Sequence, residues 1–313
     1  MAYDLLCNPP AIGNFTYILM FVKYLVMKKK KIKFYIIKGN YQGDQGKVFI
    51  GKKLKNYLFL VKKLKNIIFA KNLFKIEICD WSSFNKQVIR DKSNRYILFE
   101  KYVKKRERFS QRFEPLKIHF LQKENAKFIN RYLLKSSDFS KYSNTKIKNF
   151  IKKKYISLII RNDPKIALTR NVTKKYFLKI YKSLKKKFNG YNILIVSDNL
   201  GCQTIKKYQK TYKLKKIYYC KSYSKNIFSD VYMQLKSSAC FSGHKTGGMV
   251  TWPFYSKLPF CIVNYISPNL LKKNWEYYKV DKLYPWWNKN QIYKNSNQVE
   301  DLILKINEYK IPK

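Results

Sequence analysis

Acidic residues are scarce in this sequence of 313 residues, which holds 18 Asp and Glu against 67 Lys and Arg and so carries a formal net charge of +49. This balance favours polyanionic partners, namely nucleic acid, an anionic membrane face or phosphorylated substrates. The lysines are spread along the whole chain, together with abundant Asn, Ile, Tyr and Phe. An AT-rich coding bias gives the same composition. A solvated lysine-rich surface is therefore a sufficient explanation, and no specific nucleic-acid partner is expected.

The sequence also lacks paired cysteines and long apolar runs. Its six cysteines lie far apart, none forms a C-x-x-C pair, and most fall in apolar runs typical of buried strands. We expect them to be reduced and buried rather than joined in disulfides or bound to zinc. The apolar run 15–27 contains Lys23 and is too short to span a bilayer, and no basic start of a signal peptide precedes it. These features predict a cytoplasmic protein, either soluble or peripheral on the inner face of the membrane.

Several common nucleotide and hydrolase motifs are absent as well. The sequence contains no Asp-x-Asp, no G-x-x-x-x-G-K-[ST], no H-E-x-x-H and no G-x-S-x-G. These absences disfavour a metal-bridged nucleotide site, a P-loop and the usual hydrolase nucleophiles. We therefore expect neither a metal nor another cofactor. Any diphosphate that leaves during a reaction must be neutralised by arginine and by backbone N–H groups at a helix end.

The length of the chain and its first 40 residues predict two α/β domains. A chain of 313 residues exceeds the usual size of one core. Strand-like runs at 3–7 and 32–37 flank a Pro/Gly loop and the apolar helix 15–27, which is a β–α–β pattern with a parallel sheet. The polar stretch 136–145 is the preferred boundary, giving domains 1–145 and 146–313.

The second half of the chain alternates strand and helix patterns more clearly. Apolar runs predict five strands, and amphipathic segments predict four intervening helices and a terminal helix over 300–309. Such alternation is typical of a doubly wound parallel sheet, which binds ligands outside the carboxyl ends of its strands. The predicted strands are 155–160, 192–196, 216–220, 238–241 and 260–263, and the intervening helices are 172–188, 203–212, 228–236 and 249–256.

Candidate ligand-binding residues follow these strands. Arg161 comes directly after the first strand of the second half, and a guanidinium there can hold a diphosphate with two parallel hydrogen bonds. A surface salt bridge to Asp163 is the alternative for this arginine. The other candidates for binding the same ligand at these strand ends are Asn162, Arg170, Ser197, Asp198 and Ser222.

The loop Ser242–Gly248 combines small and hydroxyl residues before a predicted helix. Ser242, Gly243, Thr246, Gly247 and Gly248 can offer hydroxyl and backbone N–H groups to an anion at the helix N-terminus. His244 can donate to a phosphate or a sugar hydroxyl. A simple helix N-cap for Thr246 and an exposed loop position for His244 are the alternatives.

Candidates in the first half are fewer. Gly13 and Asn14 lie in the loop after the first strand, where a second substrate can bind. Asp44, in a glycine-rich loop, and Asp80, at a strand end, are the candidate general bases, with Asp44 preferred as the catalytic residue. Stabilisation of a turn is the alternative role for each aspartate.

Two sets of residues resemble a known superfamily. Ile159-Ile160-Arg161-Asn162-Asp163-Pro164, a helix and Ile-Val-Ser197-Asp198 form the first set, and Phe228-Ser-Asp230-Val-Tyr-Met ahead of Phe241-Ser-Gly-His-Lys-Thr-Gly-Gly248 forms the second. Over about 155–265 they resemble the C-terminal half of GT-B glycosyltransferases, especially fucosyltransferase-like and bacterial polysaccharide enzymes. The resemblance implies that Arg161 faces the donor diphosphate and that the loop Ser242–Gly248 holds the nucleotide.

The resemblance also implies a fold and a function. The fold would be two Rossmann-like doubly wound domains facing a cleft, with the acceptor on the first and a nucleotide-sugar donor on the second. The function would be metal-independent transfer of a sugar to a cell-surface polysaccharide, a lipopolysaccharide or another glycan, including lipid-linked acceptors near an anionic membrane. Two alternatives stay open: a basic nucleic-acid-binding protein without activity, and a nucleotide-sugar epimerase of similar fold.

Overall fold

The computed structural model divides the chain into two compact units, Met1–Ile129 and Asn130–Lys313. It describes residues 2–4, 32–37, 74–79, 127, 130–131, 133–162, 171–243, 248–265, 286–296, 298 and 300–312. The division lies upstream of the predicted boundary at 145/146, which stays a prediction. Residues 136–142 pack within the second unit, against a helix at 227–235.

The described part of the first unit is a parallel three-stranded sheet. Its strands are β1 (Ala2–Asp4), β2 (Ile32–Ile37) and β3 (Phe74–Cys79), in the order β1-β2-β3. Tyr3 pairs with Ile36, and Ile36 pairs with Ile78. The parallel pairing agrees with the β–α–β pattern expected for the first 40 residues, because parallel neighbours need a crossover connection.

The second unit is built on a six-stranded sheet in which every described pairing is parallel. The strands lie in the order β6-β5-β4-β7-β8-β9. Numbered along the chain, this is the 3-2-1-4-5-6 order of Rossmann-like doubly wound sheets. The strands are β4 (Tyr155–Ile159), β5 (Asn192–Val196), β6 (Ile217–Tyr219), β7 (Cys240–Gly243), β8 (Phe260–Tyr265) and β9 (Gln291–Ser296).

Helices alternate with these strands and cover both faces of the sheet. The α-helices are α1 (Thr145–Phe150), α2 (Lys174–Lys187), α3 (Asn199–Thr211), α4 (Ile227–Leu235), α5 (Thr251–Phe254) and α6 (Asp301–Glu308). The 3-10 helices among the described residues of the second unit are η1 (Ser136–Tyr142), η2 (Cys220–Ser222) and η3 (Gly248–Val250).

Two successive residues of β7 show which helices share a face of the sheet. The Phe241 ring contacts Phe188 after α2 and Tyr309 after α6, with centroids 5.5 and 5.3 Å apart. Cys240 instead meets Gln234 of α4, whose amide nitrogen lies 3.5 Å from its sulfur. Successive strand residues point to opposite faces. Helices α2 and α6 therefore cover one face, and α4 covers the other.

Because helices cover both faces of the sheet, its central strands are buried and form the core of the second unit. All five residues of β4 are buried, as expected for a strand enclosed on both faces. Helix α4 has seven buried residues out of nine, because it lies between the sheet and η1. The four cysteines whose side chains the structure describes are free and buried, as predicted. Among the described residues, no helix combines the length and apolar character needed to cross a bilayer.

The predicted α/β class with a parallel Rossmann-like sheet is confirmed. All five predicted strands of the second half are present with ends shifted by a few residues at most. The sixth strand, β9, was not predicted. The helix predicted over 249–256 is shorter than expected, because it divides into the 3-10 turn η3 and the four-residue helix α5. So short a helix has a weak dipole, and an anion beside it would depend more on side chains.

Candidate functional site

The direction of winding reverses between β4 and β7, at the middle of the six-stranded sheet. Ile159, the last residue of β4, pairs with Val196 on one side and with Ser242 on the other. The carboxyl ends of β5, β4 and β7 therefore meet at one edge. In open α/β sheets, ligands bind in the crevice at such a switch point. This edge is the candidate functional site.

Arg161 and Asn162 follow β4 at the centre of this edge, and both are half-buried. The carbonyl oxygen of Arg161 accepts a hydrogen bond from the N–H of Val172 at 3.2 Å, which fixes the backbone ahead of α2. The Asn162 amide donates to the Thr204 hydroxyl of α3 at 2.6 Å. Asn162 thus ties the end of β4 to α3, and Arg161 is a permanent cation beside the switch point.

Ser197 and Asp198 follow β5, next to Arg161. Asp198 is the N-cap of α3, where its carboxylate accepts the N–H of Gly201 at 2.7 Å. Ser197 is buried, and its hydroxyl has no hydrogen-bond partner among the described residues. A Cβ on Gly201 would lie 1.9 Å from that hydroxyl oxygen. The Ser197 side chain therefore packs on the first turn of α3, and Asp198 stabilises the same turn.

Ser242 and Gly243 end β7 on the other side of β4. Ser242 is fully buried, with a hydroxyl that finds no partner among the described residues. A Cβ on Gly243 would lie 2.5 Å from Leu302 Cδ2 and 2.9 Å from the Tyr176 hydroxyl. Gly243 is thus required for close packing of α2 and α6 on the sheet, which is a role the sequence did not predict for it.

Lys221 and Asp230 form a buried ion pair beyond β6, next to this edge. Lys221 belongs to η2, and Asp230 lies in α4 with only 2 % of its surface exposed. Burial raises the pKa of Asp230 to about 6, and the ammonium of Lys221 opposes part of that rise. Ser222, the neighbouring candidate, is exposed. Sequence reasoning did not select Asp230, although a single acid in the otherwise uncharged segment 227–235 is a usable signal.

Helix α4 also holds the segment that follows the loop after β7. The amide nitrogen of Gln234 donates to the carbonyl oxygen of Met249 at 3.1 Å, so that η3 is tied to α4. Gln234 lies one helical turn after Asp230 and is fully buried. Helix α4 therefore contacts both η2, which follows β6, and η3, which follows the candidate loop Ser242–Gly248.

Eight predicted site residues lie outside the described residues, and their roles stay predictions. They are Gly13, Asn14, Asp44, Asp80, Arg170, His244, Thr246 and Gly247. Gly248 begins η3. The described residues contain no group of three or more His, Cys, Asp or Glu side chains that could hold a metal ion.

A cavity of about 390 Å³ lies at the opposite, amino edge of the sheet. Its wall includes Arg131 and Lys135 before α1, Ser237 before β7, and Lys257 before β8. The Ser237 hydroxyl is already hydrogen-bonded within the fold, to the carbonyl oxygen of Gln234 at 2.7 Å. This cavity is separate from the switch point, and we place the candidate site at the switch point because the cationic Arg161 stands there.

Neither a comparison with protein-family models nor a search of curated proteins finds a match for this chain.

Proposed function

We propose that the protein is a metal-independent glycosyltransferase that moves a sugar from a nucleotide-sugar donor to a glycan acceptor. One observation carries the proposal: Arg161 follows the first strand of a sheet with the 3-2-1-4-5-6 order, beside Ser242 at the end of the fourth strand. This edge is where such sheets bind nucleotides. The resemblance of the same residues to GT-B enzymes narrows the ligand to a nucleotide sugar.

Arg161 is the residue expected to stabilise the leaving diphosphate. Negative charge develops on the diphosphate as the glycosidic bond breaks, and a fixed guanidinium can offset it without reorganisation of solvent. The half-burial of Arg161 strengthens this interaction, because a site partly removed from water has a lower effective dielectric constant. Asn162, Ser197, Ser222, Ser242 and the rest of the loop to Gly248 would complete the donor subsite.

The remaining parts of the mechanism belong to the first unit. We propose that the two units form a GT-B pair, that Gly13 and Asn14 face the acceptor, and that Asp44 removes the proton from the attacking hydroxyl. The acceptor would be a cell-surface polysaccharide, a lipopolysaccharide or a lipid-linked glycan. Asp198 has a second role in this scheme: its carboxylate, already the N-cap of α3, would accept a hydrogen bond from a sugar or ribose hydroxyl rather than contact phosphate.

The test is nucleotide binding by wild type and Arg161→Ala. Wild type should show a rise in melting temperature with at least one of GDP, UDP, ADP and CMP, since binding to the folded state stabilises it. Arg161→Ala should lose about 10- to 100-fold in affinity, the equivalent of one charge-assisted hydrogen bond. Transfer of sugar to an acceptor should fall at least as far.

Arg131→Ala is the matched control, because it removes the same charge from an exposed residue at the amino edge. It should bind nucleotide as wild type does. Equal nucleotide affinity in the two variants would reject Arg161 as the diphosphate ligand. Failure of all four nucleotides to stabilise wild type would reject the donor class.

A nucleotide-sugar epimerase is the second candidate, because the same strand order and the same arginine would also bind a nucleotide sugar in an epimerase. An epimerase would convert a UDP-sugar to its epimer with no acceptor present. A transferase would leave the sugar unchanged until acceptor is added. Analysis of the sugar after incubation with donor alone therefore separates the two.

A further inference from the structure

Helices α2 and α3 form a lysine surface on the second unit. The segment 171–216, which contains both helices, has one acidic residue, Asp198, and no arginine. The helices lie side by side, with the Phe177 and Tyr208 rings 5.9 Å apart. Twelve of the segment's lysines are exposed and one, Lys185, is half-buried; they are Lys174, Lys175, Lys179, Lys182, Lys185, Lys186, Lys187, Lys206, Lys207, Lys210, Lys213, Lys215 and Lys216.

This segment is more basic than the parts of the second unit that follow it. The segment 217–265, of similar length, has five lysines and one aspartate. The segment 286–312, which contains β9 and α6, has four lysines and three acids. Helix α4, on the opposite face of the sheet, contains no lysine. The preceding segment 133–154 is also basic, with seven lysines and one aspartate. The excess of lysine in the described second unit therefore lies in 133–154 and on α2 and α3, and not in the parts that follow them.

The lysine surface has an edge on the side of α6. Glu300, just before α6, accepts a hydrogen bond from Lys179 at 3.1 Å, and Asp301 pairs with Lys294 at 3.0 Å. Helix α6 packs directly against α2. The surface is thus bounded by acidic residues along α6 and is most basic across α2 and α3.

Two apolar side chains are exposed at the ends of α3. Leu200 and Tyr212 are each 40 % exposed, and they are two of the three large apolar side chains exposed on the described residues. Leu200 lies seven positions before Lys207, so that both fall on the same outward stripe of the helix. Cationic side chains beside exposed Leu and Tyr are the combination that favours the interface of a bilayer.

We propose that the surface formed by α2 and α3 docks on an anionic lipid bilayer. Lysine is a strongly hydrated point charge that acts through the field of many groups, which suits a planar array of headgroups. Recognition of a nucleic-acid backbone commonly relies on arginine, and this surface has none. The inference goes beyond the transferase proposal, because bilayer binding depends neither on a nucleotide nor on Arg161.

The test compares two variants with equal loss of charge. Lys182→Gln, Lys186→Gln, Lys207→Gln and Lys210→Gln together remove four exposed cations from the lysine surface. Lys135→Gln, Lys141→Gln, Lys236→Gln and Lys257→Gln together remove four exposed cations from other parts of the second unit. Binding of each full-length variant is measured by co-sedimentation with vesicles of phosphatidylglycerol and phosphatidylcholine, and with vesicles of phosphatidylcholine alone.

Wild type should bind the anionic vesicles and not the neutral ones. The lysine-surface variant should lose at least about tenfold in affinity, since each lysine near an anionic surface adds to the attraction. The control variant should bind within about threefold of wild type. Binding should weaken as salt rises from about 0.1 M to about 1 M, where the screening length falls to about 3 Å.

Two results would overturn the proposal. Equal losses in the two variants would show that net charge, and not this surface, governs binding. Failure to bind anionic vesicles together with tight binding of single-stranded RNA, lost in the lysine-surface variant, would assign the surface to nucleic acid. Both variants change exposed side chains, and circular dichroism establishes that each is folded before binding is measured.

Discussion

Gly243 shows how one residue sets the packing of two helices at the candidate site. Gly243→Ala should destabilise the protein by about 1–3 kcal/mol, because the new methyl group would press on Leu302 and the Tyr176 hydroxyl. Gly190→Ala is the matched control: a Cβ there meets nothing within 4 Å, and its effect should be neutral or slightly stabilising. Urea denaturation of both variants gives the comparison, and equal midpoints would reject the packing role.

Residues at the site differ in how far the sequence reveals them. Arg161 and Ser242 could be placed at one edge because each follows an apolar strand, and parallel strands end together. The packing role of Gly243 could not be predicted, since it depends on where α2 and α6 meet. The role of Asp198 could not be predicted either, because a ligand-binding aspartate and an N-cap aspartate look the same in the sequence. Only the hydrogen bond from Gly201 identifies Asp198 as a cap.

At the scale of elements, the ion pair between Lys221 of η2 and Asp230 of α4 should be visible in the pH dependence of stability. The folded state binds the Asp230 proton more tightly than the unfolded state, because the pKa rises from 3.8 to about 6. This group therefore lowers the free energy of unfolding as pH rises from about 4 to about 6, by on the order of 2–3 kcal/mol. Above about pH 6, the stabilisation that the raised pKa of Asp230 provides at low pH is fully lost.

Asp230→Asn should remove this component. Urea denaturation at pH 4 and pH 7 should show a smaller difference between the two pH values, by the amount that Asp230 contributes. Ser222→Ala, at an exposed neighbour that does not titrate, should keep the wild-type difference. An unchanged pH dependence in Asp230→Asn would show that Asp230 ionises normally in the folded protein.

Elements also differ in how well the sequence predicts them. Strands β4, β5 and β8 are enclosed on both faces and appear as continuous apolar runs. Strand β9, at the edge of the sheet, buries the polar Gln291 and Ser296 and has no such run. Gln291 is held by hydrogen bonds to the carbonyl oxygens of Ser256 and Leu258, which are contacts a local pattern cannot reveal.

At the scale of the whole molecule, the position of the boundary can be tested with two fragments. We expect 130–313 to fold and to be more stable than 146–313. The longer fragment keeps Phe139, which is fully buried against Phe228 and Trp252, and loss of such a side chain costs about 3–5 kcal/mol. It also keeps the hydrogen bond from Leu134 to Tyr255 at 2.7 Å. Equal urea midpoints would instead favour the boundary at 145/146.

The strand order that creates the switch point also determines when the site can form during folding. Ser157 of β4 and Ser237, just before β7, contact each other across 80 residues of chain. Contacts of such long range form slowly, because the entropy of closing the loop is lost before the pairing stabilises it. On the ribosome, one edge of β4 stays open until β7 has been synthesised, and an open edge is prone to wrong pairing. The β7 side of the site, which includes Ser242, joins Arg161 only when that late pairing is complete.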